Sequence, residues 1–471
     1  MHLVAVGGSD AGISAALRAR ELEPGAEVTV VVADAYPNFS ICGIPYLISG
    51  EVGHWRDLAH RTLGDLEAAG LRLRLDTVVT RIDPGGHRVT LRDAGGAEEI
   101  LTYDALVVGT GARPVVPPID GLDGPAALGP ADGVHLLHTM DDTFALTATL
   151  ESGRPSRALI VGAGYVGLEM GDGLRSRGLA VVQVERLPEV LPTVDADLGA
   201  LVRAELAAHG VEVATATTVR AIRRAPAGAQ GRLRVEAAAA DARPVSWDVD
   251  VVLVSVGVRP ETALLTAAGA ATGAGGAVAV DEGMRTGLPD VFAAGDCVVT
   301  HHRLLGVTYL PLGTTAHKQG RVAGENAVGG AARYAGSLGT QVVKVFDVVA
   351  ARTGLRDHEA AGRWSPATAG SAPDDHKAYY PGAHPIAARV TGDTGTGRLL
   401  GAQLVGRLGT EVAKRIDVFA TAIHHGMTVA SLDELDLSYT PPLGSPWDAV
   451  QMAGQAWVRA HRPDPPARAG R

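Results

Sequence analysis

Cysteine is scarce in this chain of 471 residues: there are two, Cys42 and Cys297. So few thiols exclude a disulfide-stapled scaffold, and their isolation gives no zinc-ligand spacing. Aromatic residues are only 4% of the chain. Lysine is rare beside arginine, a compositional bias that says little about chemistry. No apolar run of about 18 residues is free of charges and turn formers, so no membrane span is expected. Basic residues are outnumbered 42 to 52 by acidic ones, for a formal net charge of −10. An acidic surface repels phosphate backbones, so a nucleic-acid partner is not expected. The first ten residues enter a strand pattern at once, with no basic stretch or small-residue cleavage site. A cytoplasmic protein without a secretory leader is the expectation.

What the chain does have is glycine, 60 residues, and a hydrophobic content of 46%. Buried-strand runs alternate with helical spacing, the pattern of an α/β chain with parallel sheets. Residues 3–6, 13–22 and 28–32 read as strand, helix and strand. Residues 158–161, 166–177 and 181–184 repeat that unit about 155 positions later, which suggests two dinucleotide sites. Residues 88–92 lead into Gly95 and Gly96 as one arm of a hairpin. A strand at 251–256, a Gly/Ala-rich link at 267–277 and a short strand at 291–294 follow. From about residue 340 the pattern becomes antiparallel α+β. Within it, 364–375 is rich in Pro, Ser and Ala and reads as an exposed loop.

The clearest motif is Gly162, Ala163, Gly164, Tyr165, Val166, Gly167, directly after a strand and opening a helix. The first glycine permits the tight turn, the second lets pyrophosphate approach, and the third lets helix and strand pack. The helix N-terminus offers free N–H groups to phosphate. Glu185 ends the next strand, where a carboxylate can accept both ribose hydroxyls. It would repel a 2′-phosphate, so NADH is favoured over NADPH, although Arg186 beside it softens the preference. The N-terminal counterpart, Gly7, Gly8, Ser9, Asp10, Ala11, Gly12, has serine where the second glycine belongs. Two further strands end in Thr110-Gly111 and in Gly295-Asp296. Three such ends would converge on the carboxyl edge of one sheet, where open α/β sheets bind ligands.

These segments, in this order over roughly residues 1–460, resemble the FAD- and NAD-binding disulfide oxidoreductase superfamily. The resemblance implies two Rossmann-like dinucleotide-binding domains plus a C-terminal α+β dimerisation domain. The FAD domain would be 1–150 with 265–338, the NAD(P)H domain 151–264 and the dimerisation domain 339–460, before a disordered tail at 461–471. It assigns Gly7, Gly8, Ser9, Gly12, Thr110, Gly111, Gly295 and Asp296 to FAD, with Asp296 at the ribityl–pyrophosphate region. Val32 stands where the family's ribose-binding acid usually ends the second strand, and Asp34 is the candidate to replace it. Gly162, Gly164, Tyr165, Gly167, Glu169, Glu185 and Gly257 fall to NAD(P)H, with Tyr165 as a gate over the flavin.

Residues 38–46 read Asn38, Phe39, Ser40, Ile41, Cys42, Gly43, Ile44, Pro45, Tyr46. A cysteine is often just a small buried hydrophobe. Here it lies on a Gly/Pro-punctuated turn entering a helix, where N–H groups stabilise a thiolate. The segment resembles the single-cysteine branch: coenzyme A disulfide reductases, NADH oxidases and peroxidases, and persulfide reductases. Leu47 stands where two-cysteine members carry the second thiol, and their C-terminal His-Glu pair is missing. Cys42 would therefore cycle through a mixed disulfide or a sulfenic acid. Cys297, beside the Gly-Asp turn, reads as structural.

Within the branch, oxidases and peroxidases carry a sulfenate-stabilising histidine where this chain has Asp10. A carboxylate opposes an anionic sulfur there. Coenzyme A disulfide reductases use two tyrosines from the partner subunit, and Tyr439 with Tyr379 or Tyr380 stands in matching places. Trp447 stands where those reductases often carry lysine and where some oxidases and persulfide reductases carry tryptophan. Arg18, Arg20 and Arg61 are candidates for coenzyme A phosphates, though such residues are more often surface charges. The adjacent pairs His301-His302 and His424-His425 do not share a face, so no metal site is expected. The resemblance implies an enzyme with FAD and NADH (or NADPH) as cofactors, acting as a homodimer with shared active sites. It would reduce a low-molecular-weight disulfide or persulfide through Cys42. The alternatives are an oxidase or peroxidase acting on oxygen or peroxide, and a flavin-based redox sensor or interaction protein.

Overall fold

The computed structural model describes residues 1–153 and 155–461. Two compact units form: Met1–Pro155 with Asp250–Ser337, and Ser156–Val249 with the chain from Leu338 onward.

The first unit is built on five parallel strands, in the order Val291–Ala293, Ala105–Val108, His2–Val6, Glu27–Val31, Leu71–Arg74. The central residues of the inner strands are buried and, apart from Thr29, apolar on both faces, as a parallel sheet covered on both sides requires, while the edge strand Leu71–Arg74 alternates Leu with more exposed Arg. Helices Asp10–Leu22 and Gly313–Ala327 pack together through small residues. A Cβ on Gly320 would lie 2.4 Å from the Ala11 carbonyl oxygen, and one on Gly324 would lie 2.2 Å from that of Ala15. Backbone therefore meets backbone, which sets the two N-terminal turns side by side. A three-stranded meander, Thr77–Asp83, Arg88–Asp93 and Glu98–Thr102, includes the expected hairpin. The strand expected at 251–256 ends at Val254 and pairs in parallel with Val134–Leu136.

In the second unit, parallel strands Arg157–Val161, Ala180–Val184 and Glu212–Ala214 carry helix Tyr165–Ser176. From Gln341 on, five antiparallel strands form one sheet, in the order Gln341–Val345, Val348–Gly354, Leu399–Arg407, Ala387–Asp393, Pro366–Ser371. Helices Val412–His424 and Ala449–His461 accompany it.

Residues 364–375 are not the expected exposed loop, because Pro366–Ser371 is the edge strand of this sheet. Its small, weakly apolar residues carry no alternating pattern. Pairing with Ala387–Asp393 imposes the strand, and Trp457 Nε1 donates to the Ala367 carbonyl at 2.8 Å. Proline opens the strand at the sheet edge, where a missing N–H is tolerated. The tail expected to be disordered lies outside the described residues except for His461, which ends the last helix. Among the described residues no helix is long and apolar enough to cross a membrane.

Candidate functional site

The three glycine-bearing strand ends of the first unit meet at one sheet edge. Gly7 has φ +113°, and a Cβ there would lie 2.2 Å from the Gly109 carbonyl oxygen. A Cβ on Gly12 would lie 2.0 Å from the carbonyl oxygen of Gly7, and one on Gly295 2.9 Å from Ala11 Cβ. Ser9 precedes helix Asp10–Leu22 in extended conformation and makes no side-chain cap. The first-turn amides are thus left without a side-chain cap, as a phosphate-binding helix start requires. Gly295 N–H is held by Gln319 at 2.9 Å. Thr110 Oγ donates to the Glu261 carbonyl at 2.7 Å, and Gly111 takes φ +69°.

Asp296 follows that turn, and burial, reinforced by Asp10, pushes its carboxyl up to about 6. Asn38 is also buried, and its Oδ1 has no hydrogen-bond partner among the described residues. A glycine-only cradle, an uncapped helix start, a buried acid and an orphaned polar atom fit the phosphates and hydroxyls of FAD. Asp34 is half-buried, accepts the Tyr36 amide at 2.8 Å, and has its pKa raised by burial. Val32 is buried against Gly8, where a Cβ would lie 2.5 Å from Val32 Cγ1.

The second unit repeats the turn more regularly. Gly162 has φ +102°, and a Cβ on Gly167 would lie 2.2 Å from its carbonyl oxygen. Gly164 precedes helix Tyr165–Ser176 without a side-chain cap. Glu185 is buried, its two oxygens accepting the amides of Ala163 and Leu187, each at 2.8 Å. A carboxylate oxygen has two lone pairs, so both keep capacity for ribose hydroxyls. Arg186 is exposed. The Tyr165 phenol, its pKa raised chiefly by burial, accepts from Thr193 at 3.3 Å. Glu169 is half-buried on the same helix. Gly257, at φ +105°, lies in the first unit, its carbonyl accepting the Val115 amide at 2.9 Å.

Cys42 sits in the 3₁₀ turn Ile41–Gly43, which runs into helix Ile44–Ser49. Ile44, Pro45 and Ile48 are buried anchors, while the Cys42 residue is exposed. The Asn38 amide donates to Gly8 O at 2.6 Å, and the Ser40 amide to Leu58 O at 2.8 Å. Tyr36, Phe39, Trp55 and Phe144 prop the segment through edge and stacked ring contacts. Cys297 is the opposite case. It is fully buried, its Sγ is 3.4 Å from the Ala294 carbonyl, and burial raises its pKa, as in an inert packing thiol.

Tyr379, Tyr380 and Tyr439 all lie in the second unit, 71%, 44% and 44% exposed. The Tyr439 and Tyr379 hydroxyls share a hydrogen bond that raises the Tyr439 pKa. Leu443 and Trp447 nearby in sequence are 76% and 52% exposed. Arg18 and Arg20 are committed to protein partners, Glu325 and Glu21 for the first and the Pro24 and Ala26 carbonyls for the second.

Arg415 was not legible as a site residue. Buried on helix Val412–His424, its Nη2 donates to Asp448 at 2.9 Å and to the Asp375 carbonyl at 2.7 Å. Both tyrosine-bearing segments thus hang on one guanidinium. The signal was a lone arginine on an apolar helix face, which alone names no partner. Arg415→Ala strands the Asp448 carboxylate and is expected to destabilise the unit by about 3–5 kcal/mol. Urea unfolding of the variant checks this, and a loss under about 1 kcal/mol would contradict the clamp.

Residues 1–320 match the family described as pyridine nucleotide-disulphide oxidoreductase, and residues 340–449 its dimerisation domain. An NADH oxidase of Methanocaldococcus jannaschii is 32% identical over 97% of this chain and 98% of its own length. An NAD(P)H sulfur oxidoreductase (CoA-dependent) of Pyrococcus furiosus is 32% identical over 95% of this chain and 97% of its own. The solved structure of an NAD-dependent persulfide reductase from A. fulgidus is 35% identical with a TM-score of 0.89, covering 98% of this chain and 83% of that one. The names are consistent with the single-cysteine branch. This chain belongs to the pyridine nucleotide-disulphide oxidoreductase family, an oxidoreductase whose cofactors are FAD and NAD(P)H.

Proposed function

We propose that the enzyme reduces a low-molecular-weight disulfide, of the coenzyme A disulfide class, or a persulfide, with Cys42 as nucleophile. The observation that carries this reading is an exposed thiol on a rigid turn tied through Asn38 to Gly8 of the FAD cradle. Gly7, Gly8, Ser9, Gly12 and Asp296 hold the flavin dinucleotide. The segments around Gly162, Gly164, Gly167 and Glu185 hold the nicotinamide dinucleotide. Bound FAD supplies the two-electron reservoir between nicotinamide and sulfur.

Cys42 thiolate attacks one substrate sulfur, the S–S bond breaks, and the first thiolate departs and takes a proton. Two electrons from the nicotinamide then cleave the mixed disulfide, restoring the Cys42 thiolate and freeing the second thiol. NADH, a proton and a disulfide thus give NAD⁺ and two thiols. With a persulfide, one product is hydrogen sulfide. Tyr439, with Tyr379 or Tyr380, reaches the partner's Cys42 site in a homodimer and orients the substrate. The exposure of Tyr379, Tyr380, Tyr439, Leu443 and Trp447 supports that arrangement.

The oxidase reading has a relative's name behind it, and the electron acceptor separates the two readings. An anaerobic acceptor panel tests the proposal: coenzyme A disulfide, other thiol disulfides and polysulfide, with oxygen added last. Fast turnover with oxygen alone would overturn it. Glu185 sets a preference for NADH in kcat/KM. A tenfold NADPH advantage, worth about 1.4 kcal/mol, would show that another residue decides.

A further inference from the structure

We propose that Asp10, His60 and His317 form a proton-donating site for the sulfur chemistry at Cys42. The proposal rests on the reading of Cys42 given above. These residues come from three distant parts of the first unit: the start of helix Asp10–Leu22, the segment after Leu58, and helix Gly313–Ala327. One polar atom from each lies within 4.8 Å of the others. His317 Nε2 is 3.3 Å from Asp10 Oδ1, and His317 Nδ1 is 3.0 Å from Ser14 Oγ. A hydroxyl can donate or accept, so Ser14 satisfies Nδ1 whether the ring is neutral or charged. With Asp10 at Nε2, the imidazole can change charge and keep both partners. His60 is exposed, with its ring centroid 6.2 Å from that of His317, and gives the cluster an outlet to solvent.

The cluster is held at the redox segment by backbone bonds. Asn38 N–H donates to Gly8 O at 2.6 Å, two residues from Asp10. His60 N–H donates to the Asn38 carbonyl at 2.9 Å, so Asn38 is bracketed by the Asp10 turn and His60. The titratable groups that face Asp10 are His317, His60 and Asp296. Burial raises the Asp10 pKa and the two histidines pull it back. A carboxylate that would repel an anionic sulfur by itself becomes, with two imidazoles, the base of an acid–base cluster.

The chemistry balances. Attack by Cys42 thiolate forms a new S–S bond and breaks the substrate's, leaving the electron pair on the departing sulfur. An imidazolium of the cluster gives that sulfur its proton and becomes neutral. The proton consumed in the overall reaction restores the imidazolium through His60.

The test uses the FAD-loaded enzyme with His60→Gln and His317→Gln. His60 is exposed, so His60→Gln is expected to keep wild-type melting temperature and FAD content. Two profiles are measured: alkylation of Cys42 by iodoacetamide against pH in the NADH-reduced enzyme, and kcat/KM for the disulfide against pH. Removing an imidazole of the cluster is expected to raise the alkylation midpoint of Cys42 by about one unit. It should also lower kcat/KM at neutral pH by at least about tenfold. Wild-type profiles in both variants, with Cys42→Ser inactive, would overturn the cluster and leave the Cys42 reading intact. Thiol release that survives Cys42→Ser would overturn the Cys42 reading first. Stoichiometric zinc in the wild type, lost in His60→Gln, would make the cluster a metal site and also overturn the proposal.

Discussion

Cys42→Ser is expected to release thiol from a disulfide or persulfide at least about a thousandfold more slowly than the wild type, while NADH still reduces the flavin. The substitution keeps the size of the side chain and the turn Ile41–Gly43 that presents it. It replaces a good nucleophile and leaving group by a hydroxyl that stays protonated at neutral pH. The covalent route is lost because a serine oxygen neither attacks sulfur usefully nor leaves it. Hydride delivery from the nicotinamide needs no thiol, so stopped-flow flavin reduction should survive. Cys297 cannot substitute, being fully buried with a raised pKa. Slow oxygen consumption is expected to persist. Stopped-flow reduction and steady-state thiol release on one mutant decide the matter. Thiol release near the wild-type rate would mean that electrons leave by a path that avoids Cys42.

The nucleotide turns were legible because their physics is local. Gly162 needs a positive φ and Gly167 a missing Cβ, and the backbone oxygen at 2.2 Å from the would-be Cβ of Gly167 shows why. The convergence of Gly7, Thr110-Gly111 and Asp296 was legible for a related reason, since parallel strands bring their carboxyl ends to one edge. The strand Pro366–Ser371 was hidden because its pattern belongs to its neighbour's register, not to its own residues. Arg415 and the His60–His317 pair were hidden by sequence distance. His317 reaches Asp10 only because Gly320 and Gly324 let two helices touch backbone to backbone. Asp10 had looked like an isolated departure from the family pattern. Its meaning depends on partners about 50 and 300 residues away, which no local reading supplies.

Asp296→Asn is expected to weaken FAD binding and, at the same time, to stabilise the apoprotein above pH 6. Asp296 is held in a desolvated place beside Asp10, with the Leu312 amide only partly offsetting the cost. Its pKa rises from 3.8 to about 6 in the fold. The folded chain therefore holds its proton longer than the unfolded chain. Only well below pH 4 are both states fully protonated and the group neutral in its effect. Between about 4 and 6 the folded state binds more protons, so stability falls as pH rises. Above about 6 the penalty is complete, on the order of 1–3 kcal/mol. Asparagine has the same shape and never ionises, so it removes that penalty. It also lacks the second acceptor oxygen and the charge that FAD hydroxyls would meet, and one lost charge-assisted bond weakens binding by at least about tenfold. Two measurements check this: the flavin-to-protein absorbance ratio, and urea unfolding of both apoproteins at pH 4 and pH 8. The expected result is a variant markedly paler than the wild type, whose apoprotein is the more stable at pH 8 and nearly equal to it at pH 4. A variant as yellow as the wild type would place Asp296 outside the cofactor site. A paler variant less stable at both pH values would mean that its carboxylate holds the turn together, and that burial was never a cost the cofactor had to relieve.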